Sequence, residues 1–109
     1  MGKRGMQEAT FLILTALAGG PQHGYGIIAD IAGISGQRLR AGTLYAALDR
    51  LHEDGLIAVE REEVVDGRLR RYYRLTSEGS TQLAAEAERL HARARAALAR
   101  LRLIGGVAR

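Results

Sequence analysis

The chain has no cysteine, no tryptophan, one proline and one phenylalanine among its 109 residues. Without cysteine there can be neither disulfides nor thiolate metal sites. His23, His52 and His91 stand far apart with no ligand-like spacing, so no metal site is expected. No apolar run is long enough to span a bilayer. Lys3 and Arg4 ahead of Phe11 to Ala18 mimic the start of an export signal, but Glu8 interrupts the approach and the run is short. Met6 stands where an N-myristoylation site opening on Met1-Gly2 wants Ser or Thr. A cytoplasmic protein is expected. Catalytic groups are also missing: no Ser/His/Asp arrangement occurs, and Asp49 and Glu53 read as solvated acids on one helix face. Gly24-Tyr25-Gly26-Ile27-Ile28-Ala29 spells a dinucleotide-binding pattern, yet it follows a helix and Pro21 where a strand is required. Neither an enzyme nor a cofactor is expected.

What is present is positive charge. A formal charge of +4 on a chain of single-domain length favours an anionic partner, without saying which. The informative segment runs from Gly67 to Gly79. Asp66-Gly67 suits a tight hairpin turn, because both residues reach positive φ. Leu69, Tyr73 and Leu75 then share one face of a strand, and Arg68, Arg70, Tyr72 and Arg74 share the other. Thr76-Ser77-Glu78 reads as a helix start with Thr76 as N-cap. A basic strand alone could be a solvated edge that discourages aggregation; between a hairpin and a capped helix it resembles a DNA-binding wing.

Upstream, Met6 to Ala18 reads as a helix apolar almost all round, which calls for cover on one side from the domain and on the other from a second subunit. Gly19-Gly20-Pro21 ends it. A second helix spans about Tyr25 to Ala32, and Gly33 and Gly36 bracket a loop. A third runs from about Thr43 to Asp54, where Leu44, Leu48 and Leu51 form one buried stripe. Its exposed side offers Thr43, Tyr45, Ala46, Asp49 and Arg50 to base edges or phosphates, as the second member of a helix-turn-helix would. Tyr45 suits the edge of the core equally well. Arg50 is the expected main specificity residue, since its guanidinium can pair bidentately with guanine. Leu56 to Glu62 reads as the partner strand of the hairpin.

The last element, about Ser77 to Ile104, carries Leu83, Ala87, Leu90, Ala94, Ala97, Leu101 and Ile104 at alternating spacings of four and three. That is a heptad seam too long for so small a body to cover, so it is expected to join two copies. Phe11 and Leu14 of the first helix are expected to contribute, because alanines bury little area. Gly105 onward is expected to fray.

Phe11-Leu12-Ile13-Leu14, Gly20 to Ile28, Gly42 to Leu51, Asp54-Gly55-Leu56-Ile57 and Gly67 to Gly79 together resemble the PadR family of bacterial transcriptional regulators, over about residues 9 to 85. The resemblance implies a winged-helix dimer, joined through its first and last helices, that represses by binding a palindromic operator. By the same resemblance Tyr25, Thr43 and Tyr45, with Arg68, Arg70 and Arg71 in the wing, are DNA contacts. Members often carry Ser-Pro before Gly-Thr-Leu-Tyr; this chain has Arg40-Ala41, which removes the cap and adds a cation near the groove. Some compact relatives hold flat drugs between interfacial tryptophans, which this chain lacks.

The expected fold is mainly α with a small β wing. A winged helix-turn-helix occupies residues 1-76 and a C-terminal dimerisation helix residues 77-109, as one compact unit. The expected function is sequence-specific DNA binding by a transcriptional regulator, a homodimeric repressor whose effector, if any, is unknown. The alternatives are a winged-helix module that binds protein, and a dimer that sequesters a ligand.

Overall fold

Core formation begins at the first helix. The computed structural model describes residues 5–104, so the basic start at Lys3 and Arg4, the Met1-Gly2 pair and the end from Gly105 onward lie outside the described residues. Helix α1 (Glu8–Ala18) buries Leu12, Ile13, Leu14, Ala16 and Leu17 within this one chain. Each fully buried Leu or Ile contributes about 1.5–3 kcal/mol relative to exposure. The sequence reading assigns part of this apolar circumference to a second subunit; the structure covers it from within, leaving Phe11 half-buried at the rim. Leu14 is therefore corrected from a candidate interface residue to a core residue with no surface to offer a partner.

A two-residue strand β1 (Gln22–His23) precedes α2 (Gly24–Ser35), whose Ile27, Ile28 and Ile31 pack under α1. The sequence reading misses β1 and stops α2 at Ala32. The helix instead runs through Gly33 and ends at Gly36, whose φ of 78° makes it the left-handed C-cap. Helix α3 (Ala41–Glu53) starts two residues earlier than expected and buries Leu44, Ala47, Leu48 and Leu51 on the anticipated stripe. Arg40 holds the N-cap position with no side-chain cap, as the loss of the usual capping residue implies.

Strands β2 (Ile57–Val65) and β3 (Arg68–Leu75) form the hairpin, and β1 adds to the free side of β3. The sheet is antiparallel in the order β1-β3-β2, so it has three strands rather than the two expected. The turn is as read: Asp66 and Gly67 have φ of 52° and 76°, the pair of left-handed residues a type I′ turn needs. The register shifts between Val59 and Arg61, which marks a bulge.

Helix α4 (Ser77–Leu103) opens on Thr76, whose Oγ1 accepts from Gly79 N at 3.0 Å and donates to Gly55 O at 2.7 Å. Gly79 is required by close approach: a Cβ there would overlap the Leu56 carbonyl oxygen. Leu83 packs against the core, and every residue from His91 to Ile104 is exposed. The projecting helix stretches the chain to 61 × 32 × 21 Å and raises its radius of gyration to 16.9 Å. A compact chain of about 100 residues would have about 13 Å. The fold is thus mainly helical, with a small antiparallel sheet.

Candidate nucleic-acid interface

Three elements meet along one open groove of about 460 Å³: the start of α2, the exposed flank of α3 and the tip of the β2–β3 hairpin. From α2 comes Tyr25, 63% exposed, and from α3 comes Tyr45, 42% exposed. Arg68 and Arg70 line the groove from the hairpin. Gly24 lies against the Tyr45 hydroxyl, and a Cβ at that position would overlap it, so glycine lets Tyr45 lie across the first turn of α2. Burial, and then the neighbouring Tyr25 and Tyr73, push the Tyr45 pKa above its ordinary value. Its hydroxyl stays protonated near neutrality and available as a donor. First-turn amides, two phenols and two guanidinium groups in one groove make a surface suited to phosphate oxygens.

His23 sets the floor of this arrangement. Its Nδ1 accepts from Gly26 N at 3.3 Å and so caps α2. Its ring meets Tyr72 edge-on, with centroids 5.2 Å apart. Burial, and then the Arg70 guanidinium, lower the His23 pKa, with Glu63 opposing. The neutral ring is the form that can accept from Gly26 N. Arg61 stacks over Tyr72 at 3.8 Å and pairs with Glu63 at 3.3 Å. Sequence reasoning missed His23, Arg61 and Glu63, because only the register brings them to Tyr72.

The register also divides the arginines of the hairpin. Arg71 pairs with Glu62 at 2.8 Å, which raises its pKa, and Arg74 pairs with Glu60 at 3.3 Å. With Arg61 on Glu63, three of the five hairpin arginines have an acid partner, and Arg68 and Arg70 have none among the described residues. Arg71 also lies one step out of phase with Arg68 and Arg70, on the Leu69 and Tyr73 face. The basic strand of the sequence is therefore cationic chiefly at Arg68 and Arg70.

On α3, Thr43, Ala46, Asp49 and Arg50 are all exposed, as is Arg40 at its start. They do not form one surface. Tyr45 faces the wing, whereas Arg50 lies on the opposite flank beside a cavity of about 350 Å³ lined also by Met6, Leu51, Leu56, Glu86 and Arg89. Glu86 of α4, also at this cavity, is buried. It accepts from Arg89 Nε at 3.0 Å and from Arg89 Nη2, and the Met6 backbone also bonds to it. The Arg89 contact first, and then the Met6 bond, hold its pKa below the ordinary carboxylate range against the opposing effect of burial. The only signal in the sequence was an acid three residues ahead of an arginine.

Of the remaining candidate interface residues, Leu83 is half-buried on the core, and Ala87, Ala94, Ala97 and Leu101 are exposed along α4. Phe11 and Leu90 line one apolar depression between α1 and α4. Among the described residues, no helix is long and apolar enough to cross a membrane, and no cluster of His, Asp and Glu could hold a metal ion.

Helix-turn-helix, hairpin wing and a cationic groove between them define a DNA-binding transcriptional regulator of the winged-helix class. Residues 13–85 match the transcriptional regulator PadR-like family, and the chain belongs to that family. It is 46% identical over 63 residues to the transcriptional regulator Rv3488 of Mycobacterium tuberculosis, a match covering 58% of each chain. The chain spans 14% and 58% of the lengths of the two curated relatives it matches. Among solved structures it resembles a PadR family transcriptional regulator from Eggerthella lenta, with 29% identity and a TM-score of 0.72 over 85% of this chain and 80% of that one. It also resembles Bacillus subtilis PadR in complex with operator DNA, with a TM-score of 0.65 over 72% of this chain and 46% of that one. At 23% identity the second likeness is one of fold. The matched family and these solved structures are transcriptional regulators, not enzymes.

Proposed function

We propose that the chain binds a two-fold operator as a homodimer in the cytoplasm and represses transcription from it. The observation that carries this reading is the groove in which Tyr25, Tyr45, Arg68 and Arg70 converge beside the exposed flank of α3. In this reading residues 1-76 form the DNA-binding unit and residues 77-109 join the copies. Thr43, Tyr45, Ala46 and Asp49 face the major groove. Arg68, Arg70 and the first turn of α2 take phosphates, and Arg40 stands at the groove's edge. Arg50 reaches base or phosphate from the far flank of α3. Arg71, held by Glu62, orders the wing more than it touches DNA. The fold shared with a PadR solved in complex with operator DNA supports a DNA partner.

Selection from randomised DNA tests the reading. Enriched sequences should contain two half-sites about one helical turn apart, as two α3 helices in a two-fold dimer require. Replacing Arg70 with Ala should weaken binding to all sequences alike and flatten the log–log salt slope by about one unit. Absence of enrichment would favour a winged-helix module that binds protein. Placing the operator ahead of a reporter separates repression from activation.

A further inference from the structure

The helix proposed above to face the major groove carries acids on its outermost row. Gly42, Ala46, Asp49 and Glu53 follow one another along α3 at spacings of four, three and four, and all are exposed. That row lies directly opposite the buried Leu44, Leu48 and Leu51. It contains no cation. Arg50 follows Asp49 in sequence, but adjacent helical residues do not face each other, and Arg50 lines the cavity against α4. Among the described residues Asp49 has no ion pair. Its charge is left to whatever α3 meets.

Gly42 and Ala46 have no long side chains to hold the helix away from a surface, so α3 can approach base edges closely. Tyr45 lies one turn before Asp49 on the same flank and lines the cationic groove with Arg68 and Arg70. Asp49 is thus continuous with that groove, whereas Glu53 is the last residue of α3. A carboxylate accepts hydrogen bonds and, when ionised, donates none. Phosphates, guanine and thymine would meet it with acceptors. The major-groove donors are the cytosine 4-amino and adenine 6-amino groups. Adenine sets its N7 acceptor beside that amino group, where cytosine has a C–H. Cytosine therefore offers the carboxylate a donor with no acceptor next to it.

We propose that Asp49 selects cytosine at one position of each half-site, accepting a hydrogen bond from the 4-amino group. The inference rests on the DNA-binding reading above. In this role Asp49 lowers affinity for DNA in general and adds discrimination. Its charge is repelled by the phosphates of any sequence, and a well-placed amino group offsets that repulsion at the right one. Removing the carboxylate should therefore tighten binding to unrelated DNA while flattening one position of the preferred sequence. A residue that merely tuned net charge would change affinity for all sequences in the same ratio.

Selection from randomised DNA with the parent, Asp49→Ala and Asp49→Asn provides the test. One enriched operator is then titrated with each of the four bases at the position that the variants alter. Asp49 is exposed, so both variants should melt close to the parent. The parent should enrich cytosine there and bind the other three bases roughly tenfold or more weakly. Asp49→Ala should bind the four alike, keep the preferences at other positions and hold unrelated DNA more tightly than the parent. Asp49→Asn should move the preference to adenine, because a carboxamide can accept from N6 and donate to N7. An unchanged profile in Asp49→Ala overturns the inference, as does a uniform gain in affinity with cytosine still preferred. Enrichment of an operator in which the altered position is not cytosine removes this inference alone. Failure to enrich any sequence removes the DNA-binding reading along with it.

Discussion

The two halves of α4 belong to different environments although they form one unbroken helix. In the first half Gly79 and Glu86 are buried and Leu83 packs on the core. In the second half every residue is exposed, including Leu98, Leu101 and Leu103. The first half behaves as part of the winged-helix body, anchored by a hydroxyl, a glycine contact and a partly buried ion pair. The second presents aliphatic side chains to solvent at heptad spacing, and nothing among the described residues accounts for them. Helix continuity therefore does not imply shared function: the same rod is core at one end and, in our reading, association surface at the other.

Substitutions can separate the halves. The largest effect on the body is expected for Gly79→Ala, which drives a methyl group into the Leu56 carbonyl and should cost about 3 kcal/mol in denaturant unfolding. Unchanged stability would mean that α4 is not seated on Leu56. Leu90→Asp lies where the halves meet. It should weaken dimerisation by about two orders of magnitude in sedimentation, because carboxylates from both copies would be desolvated together. Circular dichroism at low concentration should still show a folded winged helix, and dimers as tight as the parent's would refute the seam. Thr76→Ala removes the N-cap and the bond to Gly55, with an expected loss of about 1 kcal/mol and no direct effect on association.

The smallest effect concerns pH. Glu86 titrates below its ordinary value of 4.5 in the folded chain, so the folded state binds fewer protons than the unfolded one over that interval. Its contribution is fully present above about 4.5 and is lost as pH falls through the folded pKa. Glu86→Gln should therefore narrow the gap in thermal midpoint between pH 6 and pH 3. A gap as wide as the parent's would assign acid sensitivity to other carboxylates.

How far these features could be read from sequence depended on how local their causes are. Thr76 as a cap, Asp66-Gly67 as a turn and the Leu44, Leu48, Leu51 stripe follow from neighbours within a turn or two, and the structure has each of them. β1 is too short to show any period, and only pairing with Tyr72 and Tyr73 makes it a strand. Glu63 to Val65 read as loop but extend β2, because Arg70, Leu69 and Arg68 stand opposite them. The same dependence on register hid which arginines are neutralised. Tyr25, Tyr45, Arg68 and Arg70 could be named in advance, whereas the His23, Tyr72, Arg61 and Glu63 assembly could not. Leu14 and Glu86 share one lesson: burial is decided by what packs against a helix, which the helix's own spelling does not state.

Thr76 has a mechanical consequence. Its hydroxyl grips Gly55 just past the end of α3, its backbone N–H donates to Leu56 O at 3.1 Å, and its Oγ1 fixes the first turn of α4. The joint has no slack, since the Gly79 backbone already bears on the same Leu56 carbonyl. A long arm clamped this closely works as a crank. A twist imposed on its far end would reach the C-terminal end of α3 through these bonds as well as through the packing of α4 on α1.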